Sequence, residues 1–499
     1  MKLKFPDILG WTWRNKWILI AFAFFAAVRI AVFVTSDNGI DMHHNAYDRS
    51  VFVLGFEGFR YIHDPAYGPA HFTFLALMKM LVTGDPVLGP RVLSLLAGLA
   101  CFPLLYFLTR RLFGDQAAFW ACAFLIFAPL HARLTAISLE VTLYMAFVLG
   151  AMLLFERGFS EGTPYRQSAA LSGFMLSLAC ATRFESWLLV PLFLLIGASR
   201  DLKKTIAMAS LGVILPIFML ANNAREYGDP LYFLKVSSKV ASLHMMQYSL
   251  YERLIAWPKI LFWATPAPAF LLALAGGYFA VRTRRGLLLG AAFIFTLIVF
   301  IVRTCLGTLG FNETKYAGML AVWALPFAGF AAARFSELAL KKESKYVVVG
   351  LMLGLTAFVG IGKIIRDSYL FQAPSDLKET TAFLERFLPR NAQVIIGPRD
   401  KGYLIIKGNL KKGQVRNLAT RDIDGRIDAD QLLILLRSTL QIPLYLVFDS
   451  TADNLSLRNI LPLDLTDPWP QKALGHMFLR AFSSKNYGVF RVDPPMPGE

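Results

Sequence analysis

The sequence has little charge and almost no cysteine. Only 17% of its 499 residues are charged and 56% are hydrophobic, whereas average chains carry about 25% charged residues. A surface that faces water needs more polar residues than this, so the composition excludes a soluble globular protein. Four cysteines that form no CxxC pair exclude a disulfide scaffold and a cysteine-based zinc site.

Long apolar runs recur from Trp17 to Ile364 and then stop. Most approach the roughly 20 residues that a helix needs to cross about 30 Å of hydrocarbon, so they predict a helical protein with many membrane spans. Residues 70–81 are also apolar, but this run is short and contains Lys79, which favours a helix that lies in the membrane interface. The eleven predicted spans are 17–35, 90–110, 116–131, 137–156, 166–182, 186–198, 205–222, 258–281, 286–302, 316–333 and 346–364.

The distribution of Lys and Arg predicts the orientation of these spans. If the N-terminus is cytoplasmic, the cytoplasmic segments hold 18 Lys and Arg in 55 residues, and the outside segments hold 11 in 111 residues. This is the positive-inside bias of inner or plasma membrane proteins. The formal charge of +17 therefore indicates contact with anionic lipid head groups and not a nucleic-acid partner.

The composition changes near residue 371, which predicts a transmembrane domain over 1–370 and a second domain over 371–499. Strand-like runs at 393–396, 403–406 and 444–448 alternate with an amphipathic stretch from Asp428 to Leu440. This alternation predicts a small α/β domain with a partly parallel sheet. An odd number of spans places that domain outside the cell. It contains no glycine-rich phosphate loop, so we assign it no catalytic chemistry.

The first outside loop, residues 36–89, is the strongest candidate for a catalytic region because long ordered loops are more often functional than connective. A carboxylate at Asp41 or Asp37 can take a proton from an acceptor hydroxyl. The alternative is that both side chains cap short helices. His43 and His44 are adjacent and do not form the i, i+4 ligand pair typical of zinc sites. A divalent metal bound at Asp41 nevertheless stays an open alternative. The other polar and aromatic candidates for the cavity in this loop are Tyr47, Asp48, His63, Asp64 and Tyr67.

Further ionisable residues lie at the outer ends of later spans. Cations converging there would bind one anionic group, preferably a phosphate, although each of them alone is also typical of a side chain that snorkels to the interface. Glu140 is spaced to form an ion pair with Arg133, two helical turns earlier. The remaining candidates are Arg183, Glu185, Arg303, Lys315 and Tyr316.

Five short motifs resemble those of the GT-C glycosyltransferases, and together they cover roughly residues 17–365. Their order agrees with the predicted spans. The motifs are Asp41 with Ala46-Tyr47 and HDPAYGP at 63–69, PRVLS at 90–94 with TRRLFG at 109–114, TRFESWLL at 182–189, YGDPLYF at 227–233, and KY at 315–316 with ALP at 324–326.

The resemblance implies an integral membrane enzyme that uses a polyprenyl-phosphate sugar at the extracytoplasmic surface, as in protein O-mannosyltransferases and lipid A aminoarabinose transferases. It gives Asp41 the role of the base. Arg183, Lys315 and Tyr316 would meet the donor phosphate, and Glu140 would be the acid near the fourth span. The acceptor is a glycan, lipid or protein. Many relatives have Glu after the first-loop Asp, but here it is Met42, so Asp37 and Asp48 stay rivals for the base.

Two other functions fit a bundle of many spans. A transporter or flippase of a lipid-linked or anionic substrate would also use outer cations, but transporters place their binding sites at the bilayer midplane. Charged residues are nearly absent there, and no internal repeat is visible. A non-catalytic scaffold whose working part is the C-terminal domain is the third alternative.

Overall fold

The computed structural model describes most of the helical region and part of the C-terminal region. The described residues are 16–36, 68–82, 88–137, 139–160, 166–235, 238, 248–309, 316–338, 342–368, 375–396, 410, 415–417, 432, 436, 442–449, 461, 463–464, 467, 469–474 and 476–493.

The chain forms two compact units. The first contains most of the apolar helices, and the second contains the residues from 370 onward together with Ser36 and the described parts of 77–90. The helices before residue 370 are α1 Lys16–Thr35, α2 Pro69–Leu81, α3 Leu88–Phe113, α4 Asp115–Ile126, α5 Pro129–Ala136, α6 Val141–Gly158, α7 Arg166–Thr182, α8 Leu189–Arg200, α9 Leu202–Gly212, α10 Ile214–Tyr227, α11 Leu250–Ala264, α12 Ala267–Thr283, α13 Leu287–Cys305, α14 Gly318–Leu338 and α15 Lys342–Ser368.

Their length and composition confirm the predicted polytopic helical fold. Within the described ranges, five helices (α1, α3, α6, α13 and α14) are long and apolar enough to cross a membrane. Three bent pairs, α4 with α5, α9 with α10, and α11 with α12, raise that number to eight if each pair is one span. The run at 70–81 is helical as predicted, within the 13-residue α2.

Small residues bring the helices of the first unit into backbone contact. A Cβ atom at Gly276 of α12 would lie 1.8 Å from the carbonyl oxygen of Phe327 in α14, and one at Gly173 of α7 would lie 1.9 Å from the carbonyl oxygen of Met208 in α9. Close approach of this kind favours helix association in lipid because it increases van der Waals contact between the backbones.

The predicted span 258–281 is wrong as one continuous helix. The chain breaks at Thr265, which is extended (φ −102°, ψ 158°), and α11 and α12 meet at 113°. Pro266 follows Thr265 directly, and a proline disfavours the helical conformation of the residue before it. The buried Lys363 of α15 donates from Nζ to the carbonyl oxygen of Trp263 at 2.8 Å, which satisfies one carbonyl at the end of α11.

The break between α4 and α5 has the same kind of cap. Arg29 of α1 is completely buried and donates to the carbonyl oxygens of Leu125 and Ile126 at 2.7 and 3.0 Å. Its Nε donates to His131 Nδ1 at 3.3 Å. Two cations inside the apolar unit therefore bind helix-end carbonyls, which explains how a membrane helix tolerates these charges.

Within its described residues, the second unit contains a six-stranded sheet, which confirms the predicted α/β region, whereas the predicted strand at 403–406 and most of the stretch 428–440 lie outside the described residues. Helix α16 (Ser375–Phe387) precedes strands β1 Gln393–Ile396, β2 Val415–Asn417, β3 Leu444–Asp449, β4 Gln471–Ala473, β5 His476–Ser483 and β6 Tyr487–Asp493. Their order is β2-β1-β3-β6-β5-β4; β1 pairs in parallel with β2 and β3, and the other pairs are antiparallel. Alternate residues of each strand face opposite sides, so Val394 packs beneath α16 while Ile395 joins a second core on the other face.

Candidate functional site

Four helix ends of the first unit meet around one buried arginine, Arg183. The elements are the start of α6, the end of α7, the residues just before α14, and the start of α2. They bring together four of the residues that the sequence singled out, Glu140, Arg183, Glu185 and Tyr316.

The turn that follows α7 positions Arg183. Its backbone is extended (φ −144°, ψ 137°) and leads into a 3₁₀ turn, Phe184–Leu188. The amide of Arg183 donates to the carbonyl oxygen of Ala179 at 2.9 Å, and its own carbonyl oxygen accepts from Ser186 Oγ at 2.6 Å. The backbone is thus tied on both sides of the residue, and the side chain is directed inward.

Carboxylates surround the edge of the Arg183 guanidinium group. Its Nε and Nη2 donate to the two carboxylate oxygens of Glu185 at 3.0 and 2.9 Å, the bidentate geometry that suits a planar guanidinium. Its Nη1 donates to Oε1 of Glu140. Glu140 is completely buried and Arg183 is 7% exposed, so these contacts lie where electrostatic interactions are strong.

An aromatic ring lies against the face of the same group. The guanidinium carbon of Arg183 is 5.1 Å from the ring centroid of Tyr316, which is cation–π distance. Phe300 and Trp257 hold that ring, with centroids 5.4 and 6.2 Å away and nearly perpendicular planes. Trp257 is in turn fixed because its Nε1 donates to Thr304 Oγ1 at 2.9 Å.

The start of α2 packs on the end of α7. A Cβ atom at Gly68 would lie 1.9 Å from the carbonyl oxygen of Ala181 and 3.0 Å from the amide of Thr182, so only glycine fits there. Ala70 shares a buried cluster with Ala181 and Met219. Gly68 and Ala70, within the predicted first outside loop, therefore lie against the end of α7, next to the turn that carries Arg183.

His71, in the first turn of α2, is 2% exposed and interacts electrostatically with Glu140 and Arg183. Burial lowers its pKa to about 4, with Arg183 acting in the same direction and Glu140 opposing, so the ring is neutral near pH 7. Neither ring nitrogen has a hydrogen-bond partner among the residues that the structure describes.

Arg183 keeps its positive charge although it is buried. Burial alone lowers the pKa of Arg183, but the carboxylates of Glu185 and Glu140 raise it above its ordinary value. One cation and two carboxylates leave this cluster with a net charge of −1 when both acids are ionised. The arrangement therefore differs from a bare cation that waits for a phosphate.

Four of the five sequence motifs meet here. Phe184 in the motif at 182–189 stacks on Phe233 in the motif at 227–233, with ring centroids 4.1 Å apart. Trp187 also packs on Phe233 at 5.2 Å and donates from Nε1 to the carbonyl oxygen of Cys180 at 3.1 Å. Gly68 belongs to the motif at 63–69, and Tyr316 belongs to the motif at 315–316. Residues far apart in sequence thus build one site.

The two other cations that the sequence predicted to bind the phosphate have different surroundings. Arg303 is half-buried near the end of α13, and its Nη2 donates to the carbonyl oxygen of Thr308 at 2.9 Å. Arg133 is half-buried on α5. The sequence offered Arg133 as the partner of Glu140, and the ion pair that the structure shows for Glu140 is with Arg183.

The predicted first-loop residues lie outside the described residues, and so does the predicted phosphate ligand before Tyr316. Within the described ranges, no group of three or more His, Cys, Asp or Glu is placed to hold a metal ion. The residues outside are Asp37, Asp41, His43, His44, Tyr47, Asp48, His63, Asp64, Tyr67 and Lys315.

The sequence did not single out His71 or Tyr144 as site residues. Tyr144 lies one turn after Glu140, is 1% exposed, and interacts electrostatically with Glu185 and Arg183. Its hydroxyl group has no hydrogen-bond partner in the described part of the chain. The available signal was position, because His71 follows the motif at 63–69 by two residues and Tyr144 follows Glu140 by four.

Comparison with known proteins gives one family match and several structural matches. Residues 65–221 match the family model of dolichyl-phosphate-mannose-protein mannosyltransferases. No curated protein matches the chain by sequence. The fold is similar to that of ArnT from Cupriavidus metallidurans bound to undecaprenyl phosphate, with a TM-score of 0.64 and 14% identity over 96% of this chain and 98% of that one.

The oligosaccharyltransferase of Archaeoglobus fulgidus, tethered to an acceptor peptide, has a TM-score of 0.53 and 11% identity, over 88% of this chain and 70% of that one. The archaeal oligosaccharyltransferase AglB from the same organism, with an inhibitory peptide and a dolichol-phosphate, has a TM-score of 0.51 at the same identity and coverage. At these identities the matches show a shared fold, and they confirm the resemblance that the motifs indicated. The chain therefore has the fold of the GT-C glycosyltransferases, and its residues 65–221 match the dolichyl-phosphate-mannose-protein mannosyltransferase family.

Proposed function

We propose that the protein is a membrane glycosyltransferase that moves a sugar from a polyprenyl-phosphate donor to a hydroxyl acceptor at the extracytoplasmic face. The observation that carries the proposal is the convergence of four glycosyltransferase-like motifs on Arg183, in a chain with the GT-C fold. The structural neighbours support the class of donor, because one was solved with undecaprenyl phosphate and another with dolichol-phosphate.

The reaction makes three demands on the protein. The acceptor hydroxyl must be placed in line with the anomeric carbon, it must lose its proton, and the departing lipid phosphate must be stabilised. We assign proton removal to Asp41, with Asp37 and Asp48 as the alternatives from the same loop. These carboxylates precede Gly68 in the sequence, and Gly68 packs on the end of α7, next to Arg183.

We assign the donor phosphate first to Lys315. It directly precedes Tyr316 in the sequence, and the ring of Tyr316 contacts Arg183. Arg133 and Arg303 are further candidates, and they lie in the last turns of α5 and α13. A lysine ammonium binds phosphate as a point charge. The transferred group, hexose or pentose, and the acceptor, glycan, lipid or protein, are left open in this proposal, as is a divalent metal at Asp41.

The test is transfer of radiolabelled sugar from polyprenyl-phosphate donors by the purified protein in proteoliposomes. We expect Asp41→Asn to abolish transfer, by about 10²-fold or more, because general-base catalysis contributes about 10²–10⁴-fold. Asp115→Asn is the matched control, since its carboxylate is exposed and pairs with Arg110 at the far end of α3.

Each result has a distinct meaning. Full activity of Asp41→Asn moves the base to Asp37 or Asp48, and the same substitution at those positions identifies it. Movement of the donor lipid across the bilayer without any sugar transfer by the wild-type protein would instead support the transporter or flippase and contradict the proposed function.

A further inference from the structure

We infer that Arg183, Glu140 and Glu185 form a positioning cluster, in which Arg183 holds the segments that carry the reaction and does not itself bind the donor phosphate. The inference rests on the proposed function and deepens it, since it assigns separate roles to the cations of the site. We call these three residues the ion cluster.

The contacts of Arg183 are the first argument. All three nitrogens of its guanidinium group donate to carboxylate oxygens of Glu185 and Glu140. One face of the group lies against the ring of Tyr316. The two carboxylates occupy the edge directions from which an arginine normally binds a phosphate in a bidentate manner.

The charge of the ion cluster is the second argument. Its two carboxylates outnumber its one cation, so a phosphate placed against Arg183 would meet two like charges. Glu140 is completely buried and Glu185 largely so, and repulsion between like charges is strong in such surroundings. A cation whose charge is already neutralised contributes little attraction to a further anion.

The third argument is that the ion cluster and its turn contact two residues, Tyr316 and Gly68, that adjoin segments with predicted roles in the sequence. Tyr316 contacts Arg183 and directly follows Lys315, the assigned phosphate ligand. Gly68 directly follows Tyr67 of the first loop and touches the backbone of Ala181, two residues before Arg183. Displacing Arg183 would therefore disturb the packing of Tyr316 and Gly68, the neighbours in sequence of Lys315 and Tyr67, and small displacements of reacting groups reduce rates strongly.

Glu140→Gln separates a positioning role from a phosphate-binding role, because the two predict opposite changes. If Arg183 binds the phosphate, removing the Glu140 charge frees its guanidinium group, and undecaprenyl phosphate should bind about tenfold more tightly. If the ion cluster positions the segments, undecaprenyl phosphate should bind within about threefold of wild type, whereas kcat should fall by about tenfold or more with little change in KM for the donor.

Binding is measured by the thermal stabilisation that undecaprenyl phosphate gives to the detergent-solubilised protein, which requires no activity. Arg183→Lys is the second variant. It keeps the positive charge but loses the bidentate contact with Glu185, so a positioning role again predicts a lower kcat with unchanged lipid-phosphate binding. Glu156→Gln is the matched control, because Glu156 pairs with Arg200 in the same unit, at the other end of α6, and should change neither quantity.

Tighter binding of undecaprenyl phosphate to Glu140→Gln would overturn the inference, and so would loss of undecaprenyl phosphate binding in Arg183→Lys. In either case, sugar transfer by the wild-type protein would still support the proposed function. Absence of transfer by the wild-type protein with all donors would overturn the proposed function, and the inference with it. An unchanged kcat in both variants, with both folded, would also overturn the positioning role.

Discussion

The ion cluster illustrates how a buried charge depends on its partners. Removing one partner of a buried ion pair leaves an uncompensated charge, which is more costly than the net contribution of the intact pair. Arg183→Ala would leave Glu140 and Glu185 without the cation that they share.

We therefore expect Arg183→Ala to lower the free energy of unfolding by about 3–5 kcal/mol. Arg200→Ala is the control. Its pair with Glu156 is partly exposed, and such pairs contribute no more than about 1 kcal/mol. Thermal unfolding of both variants in the same detergent gives the comparison. Equal losses of stability in the two variants would contradict the burial of the Arg183 pair.

His71 gives a prediction for the effect of pH on stability. Its pKa in the folded protein is about 4, below its ordinary value near 6.5. The unfolded chain therefore binds a proton at higher pH than the folded protein. The stability due to neutral, buried His71 is complete above pH 6.5 and is lost as the pH falls toward 4.

Between pH 7.5 and pH 5, this linkage should lower the free energy of unfolding of the wild type by about 2 kcal/mol. His71→Gln keeps a neutral polar side chain without a titrating group, so its decline over that interval should be smaller by this amount. Thermal unfolding at both pH values measures it. The same decline in the wild type and the variant would show that His71 is not the group that titrates.

At the residue scale, the sequence predicted which side chains approach one another better than it predicted how they pair. Glu140, Arg183, Glu185 and Tyr316 were all placed at span ends, and they meet. The pairing of Glu140 depends on the packing of α6 against α7, which spacing along one helix does not report. Spacing favoured Arg133 instead, and the position of His71, two residues after the motif at 63–69, was not enough to select it.

At the scale of helices, breaks and close contacts distinguish this bundle from a set of straight spans. Apolar content predicted where most helices lie, because it reports the hydrocarbon that they must cross. It did not predict the bend between α11 and α12, where Pro266 follows the extended Thr265. Nor did it predict that Arg29 and Lys363 bind the carbonyl groups at two such breaks, since each of these contacts joins helices that are distant in sequence.

Adjacent glycines in α12 test the close packing of this helix on α14. A Cβ atom at Gly276 would lie 1.8 Å from the carbonyl oxygen of Phe327, whereas one at Gly277 would meet no heavy atom within 4 Å. Gly276→Ala should therefore destabilise the protein by about 1–3 kcal/mol, as overpacking does. Gly277→Ala should be neutral or stabilise it by up to about 1 kcal/mol, because alanine favours the helix.

The two single variants differ by one position on one helix, so each is the control for the other. Thermal unfolding in detergent measures both. A loss of stability at Gly277 equal to that at Gly276 would show that helix α12 does not face α14 through Gly276.

At the scale of the whole molecule, the fold is shared with proteins that are only 14% identical over nearly their full length. Composition and charge placement predicted the fold class, since both follow from the demands of a bilayer. The arrangement of the sheet in the second unit required the structure, because the parallel pairs β1–β2 and β1–β3 join residues that are distant in sequence. Orientation in the membrane follows from charge placement alone and is a separate prediction.

We predict that the C-terminal unit is extracytoplasmic and that the segment at 282–286 is cytoplasmic, because Lys and Arg are concentrated in the segments assigned to the inside. Trp469 is 73% exposed in the C-terminal unit, and Arg285 is exposed between α12 and α13.

Cys101, Cys122 and Cys180 are buried, so a Cys305→Ser background suits labelling with a membrane-impermeant maleimide. In intact cells, Trp469→Cys should be labelled and Arg285→Cys should be labelled only after permeabilisation. The reverse pattern would place the Arg183 site at the cytoplasmic face and exclude an extracytoplasmic donor, whereas the predicted pattern agrees with a sugar transferred outside the cell.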